Sequence, residues 1–148
     1  MRQLCPVCGN EIDLGVHLCP HCLADCPQDA VITGEMLQKT VNLEKGMPLV
    51  PQALARLDSE LQLAARQGLK VLTLIHGYGS SGEGGAIKTA VLRQLEYLRF
   101  KGRISEVIPG EVFEGRSPRG RQLLRRFPFL SGHRDLNRGN RGITVVIF

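Results

Sequence analysis

Two Cys-x-x-C pairs, Cys5-Pro-Val-Cys8 and Cys19-Pro-His-Cys22, stand ten residues apart near the start of this 148-residue chain, and they restrict its fold more than any other feature. Each pair presents two sulfurs from one tight turn, and four thiolates complete the tetrahedral shell that zinc prefers. Pro6 and Pro20 help fix those turns, and Gly9 permits a positive φ just after the second thiolate. A segment of about thirty residues buries too little apolar surface to fold alone, so a bound metal would supply much of its folding free energy. A zinc ribbon over residues 1–28 is therefore expected, with a structural zinc held by Cys5, Cys8, Cys19 and Cys22. Disulfides or a thioredoxin-like redox site fit poorly, because the motifs come in twos and do not open a helix after a strand. Cys26, His17 and His21 are then surplus. Cys26 could replace Cys22 in another register, and His21, between two ligands, faces solvent in this reading. Such ribbons contact protein or nucleic acid, and the spacing does not say which.

The rest of the chain suits one core. Trp is absent and aromatics make up 5% of the residues, so the interior must be built mainly from Leu, Val, Ile and Ala. No stretch approaches the roughly 18 uncharged apolar residues of a membrane span, and the first residues lead straight into a Cys-Pro turn with no apolar leader. The chain reads as cytoplasmic, with no membrane partner. Its charge is uneven: Met1 to Phe100 carries nine Lys/Arg against ten Asp/Glu, whereas Lys101 to Phe148 carries ten against four. A basic region on a balanced protein points to a polyanion partner, of which nucleic acid is the commonest.

After a connector at 29–37, with an apolar run at Ala30–Thr33 that suits a short strand, Lys39–Glu44 alternates with period two. Val41 and Leu43 take one face, and Thr40, Asn42 and Glu44 the other. Pro48 and Pro51 precede a helix with Leu54, Leu57 and Leu61 at helical spacing, continuing through Ala64 and Ala65 to a stop at Gly68. Leu69–Ile75 is the best strand in the sequence. A glycine-rich stretch, His76 to Gly85, follows it, and then a second helix whose buried stripe is Ile87, Val91, Leu95 and Leu98, ended by Gly102. A third strand is expected over Ile104–Val112, kinked at Pro109-Gly110, and a fourth over Gly142–Phe148. Between these two lies an arginine-rich segment at 116–141.

Strand, glycine-rich loop and helix make an anion-friendly geometry, because backbone N–H groups and a helix N-terminus can approach a phosphate. Gly77-Tyr-Gly79-Ser-Ser-Gly82 even satisfies the dinucleotide pattern G-x-G-x-x-G. The glycines continue through Gly85, however, and the remaining chain is too short for the rest of a doubly wound sheet. No Gly-Lys-Ser/Thr follows at Walker A spacing either.

The order of elements, together with His76-Gly77-Tyr78-Gly79, Gly84-Gly85-Ala86-Ile87-Lys88-Thr89-Ala90-Val91 and Asn140-Arg141-Gly142-Ile143-Thr144-Val145-Val146, resembles the Smr (small MutS-related) domain over 38–148. The resemblance implies an α/β fold, a small mixed four-stranded sheet with two helices in the order βαβαββ. It also implies DNA or RNA as partner, and DNA-nicking or RNA-cleaving endonuclease activity. Where the family has Asp-Leu-His at the end of its first strand, this chain has Asn42-Leu43-Glu44. Asn42 cannot serve as a base, and Glu44 lacks a histidine's near-neutral pKa. Cleavage is therefore expected to be weakened or lost, with His76, Glu44 and Asn42 forming the candidate site. Glu44 would act as base or hold Mg²⁺ or Mn²⁺. Gly77, Gly79, Lys88, Arg119, Arg121, Arg125 and Arg126 are the expected nucleic-acid contacts. The rival reading is a non-catalytic adaptor whose ribbon binds a protein or ribosomal partner.

Overall fold

The computed structural model describes residues 2–26, 34–78 and 84–148; Gly79 and the strand expected at Ala30–Thr33 lie outside the described residues. Its N-terminal module is a ribbon in which β1 (Arg2–Leu4) pairs antiparallel with β2 (Glu11–Asp13). The two cysteine turns repeat one hydrogen-bond pattern. Cys5 N–H donates to Asn10 O and Gly9 N–H to Cys5 O; Cys19 N–H donates to Ala24 O and Leu23 N–H to Cys19 O. Gly9 and Leu23 occupy equivalent places, and both have positive φ, +78° and +63°.

The main sheet has four strands: β3 (Gln38–Asn42), β4 (Val71–Ile75), β5 (Glu106–Pro109) and β6 (Ile143–Ile147), in the spatial order β3-β4-β6-β5. β3 and β4 run parallel, Asn42 opposite Ile75, and β6 is antiparallel to both of its neighbours. A one-turn helix, α1 (Gly34–Leu37), leads into β3. The expected mixed α/β architecture is present, with α2 (Val50–Arg66) and α3 (Gly84–Phe100) on one face of the sheet.

Both helices end as their glycines foretell. At the end of α2, Leu69 N–H reaches Ala64 O and Gly68 N–H reaches Ala65 O; after α3, Arg103 N–H reaches Leu98 O and Gly102 N–H reaches Arg99 O. These are two Schellman motifs, each satisfying carbonyls left over at a helix end. The stripes Leu57, Leu61 and Ala64 on α2 and Ile87, Val91, Leu95 and Leu98 on α3 pack on Leu43, Leu72, Leu74 and Val146. Each fully buried Leu or Val here contributes about 1.5–3 kcal/mol. Ala65, expected in this stripe, is exposed.

Two features depart from the sequence reading. The third strand stops at Pro109 instead of reaching Val112, and Gly110–Val112 forms one 3-10 turn. The Asn140 carbonyl and Ile143 crowd Gly110 so closely that no side chain fits there. The second departure is a further helix, α4 (Pro118–Arg126), inside the arginine-rich segment. Its start is signalled by Ser117, whose hydroxyl accepts from Gly120 N–H at 3.0 Å, followed by Pro118. Leu123, Phe127 and Leu130 from this segment cover the other sheet face, against Val71, Ile143, Val145 and Ile147. The sheet is therefore covered on both sides.

The ribbon docks on this outer layer. A Cβ on Gly9 would lie 2.7 Å from the Phe127 ring, whereas one on Gly15, also at positive φ, would meet nothing within 4 Å. Gly15→Ala should therefore show only the backbone penalty of the left-handed region, about 1–2 kcal/mol. Gly9→Ala should be measurably worse by thermal or chemical denaturation, since the ring must also move. Equal losses from the two changes would mean that the ribbon does not rest on Phe127 in solution.

Candidate functional site

Cys5, Cys8, Cys19 and Cys22 bring their four sulfurs within 4.8 Å of one another. The cross-turn pairs Cys5–Cys22 and Cys8–Cys19 stand at 3.7 and 3.6 Å. A tetrahedral shell with metal–sulfur bonds of about 2.3 Å has edges of about 3.8 Å, so the cluster fits a metal ion. Donors already point at the sulfurs: Val7 N–H to Cys5, His21 N–H to Cys19, and the Asn10 amide to Cys8, at 3.3–3.4 Å. Burial pushes the Cys8 thiol up to about 12 against the Asn10 donors. At Cys19 burial also acts upward, but amide donation from Cys22 and His21 outweighs it and brings the thiol down to about 6. Four such thiols cannot all ionise side by side without a cation to share. Cys26 lies outside the shell. It is buried, with its sulfur toward Ala24 O at 3.7 Å.

The second cluster lies where β3 and β4 end. Asn42 Oδ1 accepts from Glu44 N–H at 2.9 Å, forming the turn that ends β3 and occupying the Asn42 carbonyl oxygen. Glu44 then reaches across to the neighbouring strand end. Its carboxylate covers Gly77 so closely that a Cβ there would overlap it, and Gly77 has φ +70°. His76 N–H and Gly77 N–H both donate to Gly142 O, at 2.9 and 3.1 Å, which fixes this loop to the start of β6.

His76 is fully buried, with 0% exposure. Its Nδ1–H donates to Gly77 O at 2.6 Å, which leaves Nε2 to accept from the Thr144 hydroxyl at 2.8 Å. Both ring nitrogens are engaged and the imidazole is neutral. Burial holds its pKa below the ordinary value; Lys88 adds to that, and the Gly77 carbonyl and Glu111 oppose it. Lys88 itself is paired with Glu111 at 3.3 Å.

The arginines do not act as one group. Arg119 bonds Glu106 at 2.6 Å and Val107 O at 3.0 Å, at the end of β5 remote from His76. Arg121 donates to Arg116 O, and the Arg126 guanidinium lies 4.8 Å from the centre of the Phe127 ring. Arg125 is exposed on α4. By contrast, Arg116 and Arg138 line a cavity of about 430 Å³ with Glu111, Glu114 and Asn137. Arg141 lines an adjoining one of about 310 Å³ with Tyr78 and Asn140, and Gly139 borders both. These three guanidiniums have no ion-pair partner among the described residues. The sequence placed Arg116, Arg138 and Arg141 in the basic segment and Tyr78 and Thr144 in the quoted motifs, but none of them was among the expected contacts, whose arginines were Arg119, Arg121, Arg125 and Arg126.

No family model matches the chain, and no curated protein does. Among solved structures it is similar to the Smr domain of Thermus thermophilus MutS2, at 24% identity, with 74% of this chain and 94% of that chain covered and a TM-score of 0.42. No helix among the described residues is long and apolar enough to cross a membrane.

Burial also lowers the pKa of His133, whose Nε2 faces Thr73 Oγ1 at 2.8 Å. A histidine held low in the folded state takes up its proton preferentially on unfolding. Stability is then complete above the ordinary value of 6.5 and falls as the pH drops below it. The slope for each group is at most about 1.4 kcal/mol per pH unit. Melting temperatures taken from pH 7.5 to 5.5 should fall, and His76→Gln should flatten that dependence whatever its effect at pH 7.5. An unchanged slope in the variant would show that His76 does not titrate between the two states.

Proposed function

We propose that this protein binds nucleic acid along the edge formed by Glu44, Gly77, Tyr78 and the start of β6, with a structural zinc in its ribbon. The observation that carries the reading is the grouping of Arg116, Arg138 and Arg141, with no ion-pair partner among the described residues, on openings that adjoin the His76-Gly77-Tyr78 turn. Phosphates supply what those guanidiniums lack. The Smr-like His76-Gly77-Tyr78-Gly79 motif is consistent with the same edge. Lys88 would contribute through its field, being held by Glu111.

Cleavage is weak or lost in this reading. A general base must present a lone pair to the nucleophile, whereas His76 is enclosed with both nitrogens bonded. His76 is a positioning residue here, holding Gly77 against Glu44. Glu44 is left as the carboxylate for a base or for Mg²⁺ or Mn²⁺. The adaptor reading is favoured by the ribbon's own surface. Residues 2–26 carry a single Lys or Arg, Arg2, paired with Glu11 and Asp13, while Val7, Leu18 and Leu23 are exposed. Such a surface suits a protein or ribosomal protein partner better than phosphates. Cytoplasmic placement agrees with reduced thiols at the metal site.

Three measurements test this. Elemental analysis should find one zinc per chain, lost in Cys5→Ser; a metal-free protein that stays folded would remove the zinc. Combined Arg116→Gln, Arg138→Gln and Arg141→Gln should weaken binding of DNA or RNA and reduce the slope of log affinity against log salt by up to about 0.7–0.9 per lost contact. Wild type should show little nicking of supercoiled DNA or cutting of structured RNA with Mg²⁺ or Mn²⁺, and Asn42→Asp with Glu44→His should raise it. Robust wild-type cutting that disappears in Glu44→Gln would instead make Glu44 catalytic.

A further inference from the structure

Tyr78 stands out at this edge because its ring is exposed where the backbone that leads into it is fixed. The side chain is 56% exposed although the two preceding residues are bonded to Gly142 O. Ring atom Cδ1 would be 3.6 Å from a Cβ on Gly142, so the ring rests against the start of β6 at a residue with no side chain. Arg141, Asn140 and Gly139 share its opening, and Arg138 and Arg116 line the adjoining one. An exposed aromatic ring beside guanidiniums that have no ion-pair partner among the described residues meets the two demands of a nucleotide at once. Phosphate is met by charge, and a base by a flat face.

A base inside a duplex has both faces covered by its neighbours, so a tyrosine can stack only on one that is unpaired. Glu111 and Glu114 line the arginine end of the groove and disfavour a second backbone there. We infer that the groove from Tyr78 to Arg116 takes single-stranded nucleic acid, with one base stacked on Tyr78 and the flanking phosphates on Arg141, Arg138 and Arg116. This rests on the nucleic-acid reading above and adds the strandedness and the contact.

The chain has two tyrosines and no tryptophan, so in Tyr97→Phe the remaining tyrosine emission reports on Tyr78 alone. Titrating that full-length variant with oligo-dT and oligo-U of about a dozen nucleotides should quench the emission, and a duplex of equal length should not. Comparing the two oligomers distinguishes DNA from RNA. By anisotropy, Tyr78→Ala should lose roughly 5- to 100-fold in single-strand affinity, the loss expected for one base stack. Tyr78→Phe should retain it, and the circular dichroism melts of both should match wild type. Equal binding of duplex, or full affinity in Tyr78→Ala while the triple arginine variant fails, would overturn the stacking and leave the nucleic-acid reading standing. If no strand of either kind binds, both are overturned.

Discussion

The pairing of β4 with β6 is the constraint on which the rest of the molecule depends. These two strands lie at the centre of the sheet, with α2 and α3 on one side and α4 and its following turn on the other. A strand covered on both faces must be apolar at nearly every position. Each strand nevertheless carries one threonine, and the two point to opposite faces. Thr144 is bonded to His76 on the α2–α3 side, and Thr73 to His133 on the α4 side. A buried hydroxyl without a partner would cost about 1–3 kcal/mol, so each imidazole satisfies the sheet while the sheet fixes the segment that carries it. His76 thereby sets the turn at Gly77, and His133 sets the loop that leads back towards Asn140 and Arg141.

What could be read from the sequence was what depends on neighbours in the chain. The two Schellman stops and the apolar stripes of α2 and α3 follow from periodicity and glycine position, whereas the placement of Asn42 and Glu44 beside His76 was implied by the resemblance to the Smr domain. What could not be read depends on distant partners. His76 lies 68 residues from Thr144, and nothing local distinguishes a buried, doubly bonded imidazole from an exposed catalytic one. α4 was hidden for a different reason. Its arginines dominate the composition of the segment, although Ser117-Pro118 and the apolar Leu123, Leu124 and Phe127 carried an ordinary helix signal. The early end of the third strand was also beyond local reading, because the crowding at Gly110 comes from Asn140 and Ile143.

The ribbon shows the same division between local and distant causes. Its two turns are built alike, down to the amide donated to the first sulfur of each. Their surroundings differ. Gly9 faces Phe127 and has no room for a side chain, whereas Leu23, at the equivalent place, keeps a positive φ and is exposed. A leucine in the left-handed region is unfavourable by about 1–2 kcal/mol relative to ordinary backbone. The turn that presents Cys19 and Cys22 sets that backbone, with Leu23 N–H bonded to Cys19 O, so the turn rather than the side chain determines the conformation at Leu23.

The arrangement of charge then decides how the basic segment should be understood. Its excess of Lys and Arg suggests a broad positive face, yet Arg119, Arg121 and Arg126 are engaged by Glu106, the Arg116 carbonyl and the Phe127 ring. Arg119 ties α4 to the far end of β5, while Arg121 and Arg126 make contacts within their own segment. In physiological salt an exposed charge acts over about 8 Å, so a cation at that end contributes little at the His76 edge. The guanidiniums that line the openings at that edge are Arg116, Arg138 and Arg141, which come from the loops that flank the helix rather than from the helix. Overall charge is therefore a poor guide to where an anion would bind on this molecule. The deciding fact is which guanidiniums the fold places on the openings at that edge, and their placement is set by the same outer layer that covers the central strands.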